Sequence, residues 1–366
     1  MPIKLLRLPF LVQEVLFQQF FYTELFLLSI ISPKIRFLIQ NSRNIEPKVI
    51  RYCLKKDNWV KVKASRTADD KDMESMARLF VLGSIPKKQK IVVMMGQRSV
   101  ELGFRDVSNI WKELNLCGRF YAHSKTLQYL KATLYALRYQ PEQKDILFAL
   151  QDYLNSLWKY APRVQLKING LLNIDRSSDI RNVREVEIKD NYIRHDWVGS
   201  VMSYHPQLES IYLNGSWNGP MYRRMFNVDG LHVRSYAETM LQDFDGRFLV
   251  VSVTDSEHDA EALRHMITTW RAGTKYHNLD ALVILFSSGT DLNLFVDAVI
   301  AIPSYERGPD DKPREYVLKT RIMEFGSQPD EFDERSVFKD VQQERVNGKF
   351  ASIHLGPKQM WFRVWE

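Results

Sequence analysis

The chain has 366 residues, of which 45% are apolar and 12% aromatic. That composition supports about two folded domains and excludes a disordered chain. Lys and Arg number 51 against 44 Asp and Glu, for a net charge of +7; the signs are interspersed, which excludes the basic stripe of a nucleic-acid binder.

The first elements in chain order are helical. Leu8-Pro9 precedes an apolar stripe at Val12, Leu16, Phe17 and Phe20, and a second run passes from Glu24-Leu25 through Leu28 and Ile31 to Ile35 and Leu38. The spacing predicts two or three short helices. About forty residues cannot bury a core of their own, so this end is expected to dock on a partner protein, with Leu16 and Phe17 exposed for the purpose. Val15 to Ser32 is rich in Leu, Ile and Phe, but Gln18, Gln19 and Glu24 interrupt it. A membrane span needs about 20 apolar residues, and Ser32-Pro33-Lys34 is a poor cleavage site for a secretory leader. Neither anchor nor leader is expected.

The run LRLPFLVQEVLFQQFFYTELFLLSIISPKIRFLI resembles an F-box of the kind found in the large nematode F-box families. Leu-Pro, Val12, Leu16-Phe17, Glu24-Leu25, Leu28-Ser29 and Lys34 carry the resemblance. Leu11, where many F-boxes have Glu, departs from it, as do Phe21-Tyr22 and Pro33. The resemblance implies binding to a small acidic Skp-type adaptor and through it to a cullin ubiquitin ligase. Carried over by position, the adaptor contacts would be Leu8, Pro9, Val12, Leu16, Phe17, Phe20, Leu25 and Leu28. Each of these, Leu25 and Leu28 above all, reads equally as internal core of the helices.

Residues 44–122 read as β-rich. Lys48 to Leu54 and Trp59 to Ala64 flank Lys56-Asp57-Asn58 and predict a hairpin. The polar stretch Thr67 to Glu74 leads to buried strands at Leu79-Phe80-Val81-Leu82 and Ile91 to Met95, and Lys87-Lys88-Gln89-Lys90 between them is a solvated turn. Cys53 and Cys117 lack metal-ligand spacing and cannot build a disulfide framework, which points to a reducing cytoplasmic or nuclear setting. Residues 124–160 read as helical: Leu127, Leu130, Leu134 and Leu137 share one face, and after Pro141 so do Leu147, Leu150, Leu154 and Leu157. Both stripes are core.

A repeat follows. Val183/Val186/Ile188, Leu208/Ile211/Leu213, Val228/Leu231/Val233, Phe248/Val251/Val253 and Leu279/Leu282/Ile284 match an apolar-x-x-apolar-x-apolar template. Their starts lie 25, 20, 20 and 31 residues apart, near the ~20–29 residue period of leucine-rich repeats, and Asn191 stands where such a repeat places its Asn. Helical stretches at Met221 to Phe226, Ala237 to Phe244 and Glu257 to Arg271 alternate with them. Strand and helix joined by short links force parallel strands. The template positions are expected to face the helices and the intervening ones an exposed strand surface.

This part resembles the type 2 F-box-associated domain of the same families, on a strand ending near Val253, a helix containing Leu263, Met266, Ile267 and Trp270, Gly273 closing it, and the strand of Leu279, Leu282 and Ile284. Asn347-Gly348 predicts a hairpin, and MWFRVWE a terminal aromatic strand. The expected fold is therefore mixed α+β and α/β: a helical F-box at 1–43, a β-rich then helical middle region at 44–165, and a leucine-rich-repeat-like strand–helix array with a terminal hairpin at 166–366. Outward positions Glu187, Tyr212, His232, Arg234 and Ser252, with Trp217, are candidate target contacts; each also reads as an ordinary surface residue.

Catalytic signals are weak. Asp255, Glu257, His258, Asp259, Glu261 and His265 crowd one region, but Ser256 can cap a helix there and carboxylates suit its first turn. His258 and His265 lie two turns apart, wide for chelation by one helix. No HExxH, phosphate loop, GxSxG elbow or Cys-x-x-Cys occurs. A non-catalytic subunit of an SCF-type ubiquitin ligase is expected, with no cofactor, metal, nucleic acid or membrane as partner. Two alternatives stay open: an interaction protein without a ubiquitination role, and a repeat module whose N-terminus docks homotypically.

Overall fold

Proline and serine set the ends of the first helices. Pro9 precedes α1 (Phe10–Gln19), and its carbonyl accepts from the Val12 and Gln13 amides. The chain extends at Phe20 and re-enters α2 (Tyr22–Ile31), where Glu24 Oε2 accepts from the Phe21 amide at 2.8 Å. Ser32 Oγ then accepts from Ile35 N at 3.3 Å, and Pro33 takes the first position of α3 (Pro33–Asn41). That position suits proline, whose missing N–H has no helical partner there.

The computed structural model describes residues 7–55, 59–67, 73–81, 90–95, 98–104, 136–139, 146–170, 173–217, 222–234, 237–253, 255–302, 322–323, 341–345 and 348–365. They form a mixed α/β protein of two compact units, Met1–Val183 and Arg184–Glu366. The expected divisions lay instead at 43 and 165. The three N-terminal helices belong to the first unit because apolar side chains of α2 pack into it, as set out below.

The first unit carries strands β1 (Val49–Leu54), β2 (Trp59–Ser65), β3 (Glu74–Val81), β4 (Lys90–Met95), β5 (Arg98–Phe104), β6 (Ala136–Tyr139) and β7 (Arg163–Asn169), with helix α4 (Ile146–Leu157). Their order is β7-β1-β2-β3-β6-β5-β4. The expected hairpin stands as β1 and β2, antiparallel from Val49↔Ser65 to Leu54↔Val60; its turn, Lys56-Asp57-Asn58, lies outside the described residues. Leu147, Leu150, Leu154 and Leu157 are buried on α4, as their spacing predicts. The stripe before them is corrected. Leu137 sits on β6, parallel to β3 through Leu79↔Leu137, while Leu127, Leu130, Leu134 and Pro141 lie outside the described residues. Helical spacing of leucines cannot reveal a partner strand some sixty residues earlier in the chain.

The second unit opens within β8 (Val183–Ile193) and continues through α5 (His195–Tyr204), β9 (Ser210–Trp217), a short 3-10 turn at Arg223–Asn227, β10 (Gly230–Val233), α6 (Ala237–Asp243), β11 (Phe248–Ser252), α7 (Ser256–Arg271), β12 (Ala281–Leu285) and α8 (Leu292–Ile300). Strands β8 to β12 are parallel and neighbours in chain order. Then β13 (Val341–Glu344), β14 (Phe350–Leu355) and β15 (Gln359–Trp365) form an antiparallel meander that joins β12 through β15. The predicted hairpin is β13–β14, with Gly348 at φ 81°, a left-handed backbone that glycine adopts without steric cost. Asn347 lies outside the described residues.

All five repeat segments coincide with parallel strands, and one is registered differently. Leu231 pairs with Leu249 and Val233 with Val251, so the fourth strand presents Leu249 and Val251 where the template offered Val251 and Val253. The shift of two keeps the same face, because side chains alternate with period two. That face meets the helices: Trp270 of α7 packs edge-on against Phe362, 5.1 Å between centroids, and Phe362 pairs with Leu282.

Candidate docking surface

α1 spreads its apolar residues around the helix among Gln13, Glu14, Gln18 and Gln19, so no single apolar stripe marks its inner face. The structure covers one side. Gln13 and Phe17, four residues apart, point inward, and Phe17 is 0% exposed. Gln13 Nε2 donates to the Leu8 carbonyl at 2.8 Å, and the Phe17 ring packs against Phe20 at 6.1 Å. The opposite side carries Leu11, Val12 and Val15, with Leu11 72% and Val15 57% exposed. Phe10 adds to the exposed apolar surface, and so does Phe37 of α3 at 64%. Between α1 and α3 lies an open groove of about 500 Å³ lined by Gln13, Pro33, Lys34, Phe37 and Leu38.

What holds α1 to α3 in place is an inward set of contacts within the first unit. Leu25, Phe26 and Tyr22 of α2 are buried; the Phe26 ring meets Tyr153 at 5.9 Å and the Tyr22 ring meets Trp158 at 6.0 Å, both edge-on. Burial raises the Tyr22 pKa, with the Arg66 charge acting against it. Thr23 Oγ1 donates to the Ser75 carbonyl, and the Tyr153 hydroxyl to Ser29 Oγ at 2.9 Å. Arg66, just past β2, donates to the carbonyls of Gln18 and Phe20, the latter at 2.5 Å, which satisfies the open end of α1. Arg36 and Gln40 tie α3 to Ser156 at 2.8 and 2.6 Å.

The expected contact residues therefore separate into three groups. Pro9 and Val12 are exposed, and Leu8, Leu16, Phe20 and Leu28 are half-buried. Phe17 and Leu25 are fully buried in the chain's own core, which corrects the expectation that Phe17 stands exposed. Leu11 and Val15 were missed. The signal for them was available: they share a face one turn apart, pointing away from Gln13 and Phe17, where a docked helix of an independent protein would carry polar residues.

The strand surface of the second unit differs from expectation more sharply. Glu187, Tyr212 and His232 lie side by side on β8, β9 and β10, on the face away from the helices. They are buried, Glu187 at 0% and His232 at 4% exposed. Glu187 Oε1 accepts from Asn214 Nδ2 at 2.9 Å; the Tyr212 and His232 rings stack 4.1 Å apart at 8°. Arg234 Nη2 donates to the Tyr212 hydroxyl at 3.1 Å. Further along, Tyr212, Phe248, Val250, Ala281, Val283 and Trp361 form one apolar cluster with Ile322. Trp217 is buried too, while Ser252 is half-buried and Arg234 exposed. The sheet is thus buried on both faces, as parallel sheets are. FLVVS and ALVIL, apolar at both parities, carried that signal in the sequence. Burial pushes the His232 pKa down to about 3, with the Arg234 charge adding to it, and burial alone lowers His205 to about 4.

The acidic and histidine-rich stretch is a helix start. Asp255, not Ser256, caps α7, its carboxylate accepting from the Glu257 and His258 amides. Buried Asp259 accepts from the Glu238 amide at 2.8 Å and the Asp255 amide at 3.1 Å. Among the described residues no group of His, Cys, Asp and Glu is arranged to hold a metal ion, and no helix is long and apolar enough to cross a membrane. Comparison with family models, with curated proteins and with solved structures finds no match.

Proposed function

We propose that the chain is a substrate-recognition adaptor of an SCF-type ubiquitin ligase, its N-terminal helices binding a Skp-type adaptor and its second unit holding a target protein. The observation that carries this reading is the face of α1. Leu11, Val12 and Val15 stand in solvent on a helix whose opposite side is buried at Gln13 and Phe17, and contiguous exposed apolar surface marks interaction sites. The Leu-Pro opening and the three-helix succession agree with the F-box resemblance. The mechanism is proximity: a target tethered beside the transfer machinery reacts at raised effective concentration. On the target side, burial removes Glu187, Tyr212, Trp217 and His232 as contacts. Arg234 and Ser252 remain accessible at the carboxyl ends of β10 and β11, the edge where α/β sheets bind their ligands.

The test is co-purification of the full chain with a Skp-type adaptor, proteasome activity blocked, comparing wild type with Leu11→Asp/Val15→Asp. Loss of the adaptor from the double variant is expected; equal recovery overturns the docking assignment. Ubiquitin transfer to a captured protein in a reconstituted reaction then separates a ligase subunit from an interaction protein. An Arg234→Glu variant is expected to lose the captured protein while keeping the adaptor.

A further inference from the structure

The loop between α7 and β12 contains Tyr276 at φ 59°, a left-handed backbone that a bulky residue keeps only when its surroundings hold it there. Two sets of bonds do so. The Tyr276 hydroxyl donates to the carbonyls of Leu241 and Gln242, the second at 3.2 Å. From the C-terminal hairpin, Arg345 grips the residues on either side: Nη2 donates to the Lys275 carbonyl at 3.3 Å and to His277 Nδ1 at 2.8 Å. The guanidinium lies 5.8 Å from the centre of the Trp270 ring. Arg345 is 2% exposed, its pKa lowered by burial. His277 itself reaches solvent.

An arginine nitrogen can only donate, so His277 must present the lone pair of Nδ1 and carry its proton on Nε2. Protonation of the ring removes that acceptor and sets a second cation 2.8 Å from the first. The neighbouring carboxylates are engaged elsewhere. Asp243 of α6 faces the Lys275 ammonium at 3.8 Å, and Asp280 is held by Arg247 at 2.8 Å. Lys349 of the hairpin takes part through its carbonyl, which accepts the Arg345 amide. We propose that His277 and Arg345 form a proton-sensitive latch, closed when the imidazole is neutral, that fastens the β13–β14 hairpin to the loop after α7 and opens when the imidazole is protonated.

The experiment is amide hydrogen exchange on the full chain, corrected for the intrinsic pH dependence of exchange, between about pH 7.5 and about pH 5.5, where an imidazole titrates. Protection over 341–345, 348–355 and 274–279 is expected to fall severalfold, while protection in β8 to β10 is retained. In His277→Asn, whose side-chain carbonyl stands where Nδ1 does and can still accept from Arg345 but cannot titrate, the fall is expected to vanish. A fall of the same size in His277→Asn, or none in the wild type, overturns the proposal. A second readout on the unaltered chain is histidine nitrogen NMR at neutral pH: the Nε2–H tautomer is expected for His277, and the Nδ1–H tautomer overturns the latch.

Discussion

The outer face of α1 and the outward face of strands β8 to β12 invert each other. The first exposes Leu11, Val12 and Val15, where a monomer would place polar groups; the second buries Glu187, Tyr212 and His232, where an open repeat array would place solvent. Both faces follow from periodicity, which tells which residues point together. What covers a face is another matter. Exposed apolar surface has a hydrophobic cost that a partner can relieve, so α1 is the stronger docking candidate. Buried polar groups need partners within the fold, and Glu187 and Tyr212 have theirs.

The sharpest way to break this contrast is to cut into the buried face. Phe248 is fully buried and stacks with Trp361 at 6.4 Å. Phe248→Ala is expected to destabilise the second unit by about 3–5 kcal/mol, the range for aromatic truncation in a core, read as a lowered urea midpoint with unchanged slope. A loss of no more than about 0.5 kcal/mol, the size of an ordinary surface effect, would return this face to the solvent.

Acid tests the same face through His232, and the end of α5 through His205. Their folded pKa values lie at about 3 and about 4, below the usual 6.5. Between those values and 6.5 the unfolded chain binds more protons than the folded one, so stability rises with pH there and is lost as pH falls. The loss should begin near pH 6.5 and reach a few kcal/mol by about pH 4. His232→Phe is expected to flatten part of that slope, because it removes the group that must charge on unfolding. An unchanged slope would mean that the ring is not held neutral by burial.

How much of this was legible beforehand differs along the chain. The hairpin of β1 and β2, the α4 stripe and all five parallel strands could be read, since each rests on local spacing. The register of β11 could not, because Phe248/Val251/Val253 and a frame two residues earlier both fit an alternating strand; only the Leu231↔Leu249 pairing chooses between them. Leu137 went to a strand for the same reason, a partner distant in sequence. At the candidate site, α1 and its exposed Val12 are legible, but Phe17, expected outward, is buried and Leu11, a departure from the F-box pattern, stands in solvent. A helix whose apolar and polar residues alternate around its axis gives no stripe from which to choose the inner face, so contacts outside the helix had to decide.

A smaller effect sharpens the polar part of the buried face. Asn214→Ala removes the 2.9 Å bond to Glu187 without touching the apolar cluster. Loss of a side-chain hydrogen bond costs about 0.5–1.5 kcal/mol, and the burial of Glu187 places the expected value at the upper end. Thermal unfolding measures it. No change in the midpoint would mean that the Asn214–Glu187 bond adds nothing net to folding and that the apolar cluster alone holds this face.

The smallest expected change in stability is the most telling for α1. Leu11 and Val15 touch solvent rather than core, so Leu11→Gln and Val15→Gln should shift unfolding by no more than about 0.5 kcal/mol, as surface substitutions do. Phe17→Ala on the same helix should cost about 3–5 kcal/mol. If the outer pair costs as much as Phe17, these side chains are internal core and the face of α1 has no vacancy for a partner. If the pair is neutral for folding yet the same substitutions abolish adaptor binding, stability and binding have been separated on two sides of one helix. That separation distinguishes an interface from a core, and wholesale disruption of the N-terminal helices could not supply it, because removing Phe17 loses both at once.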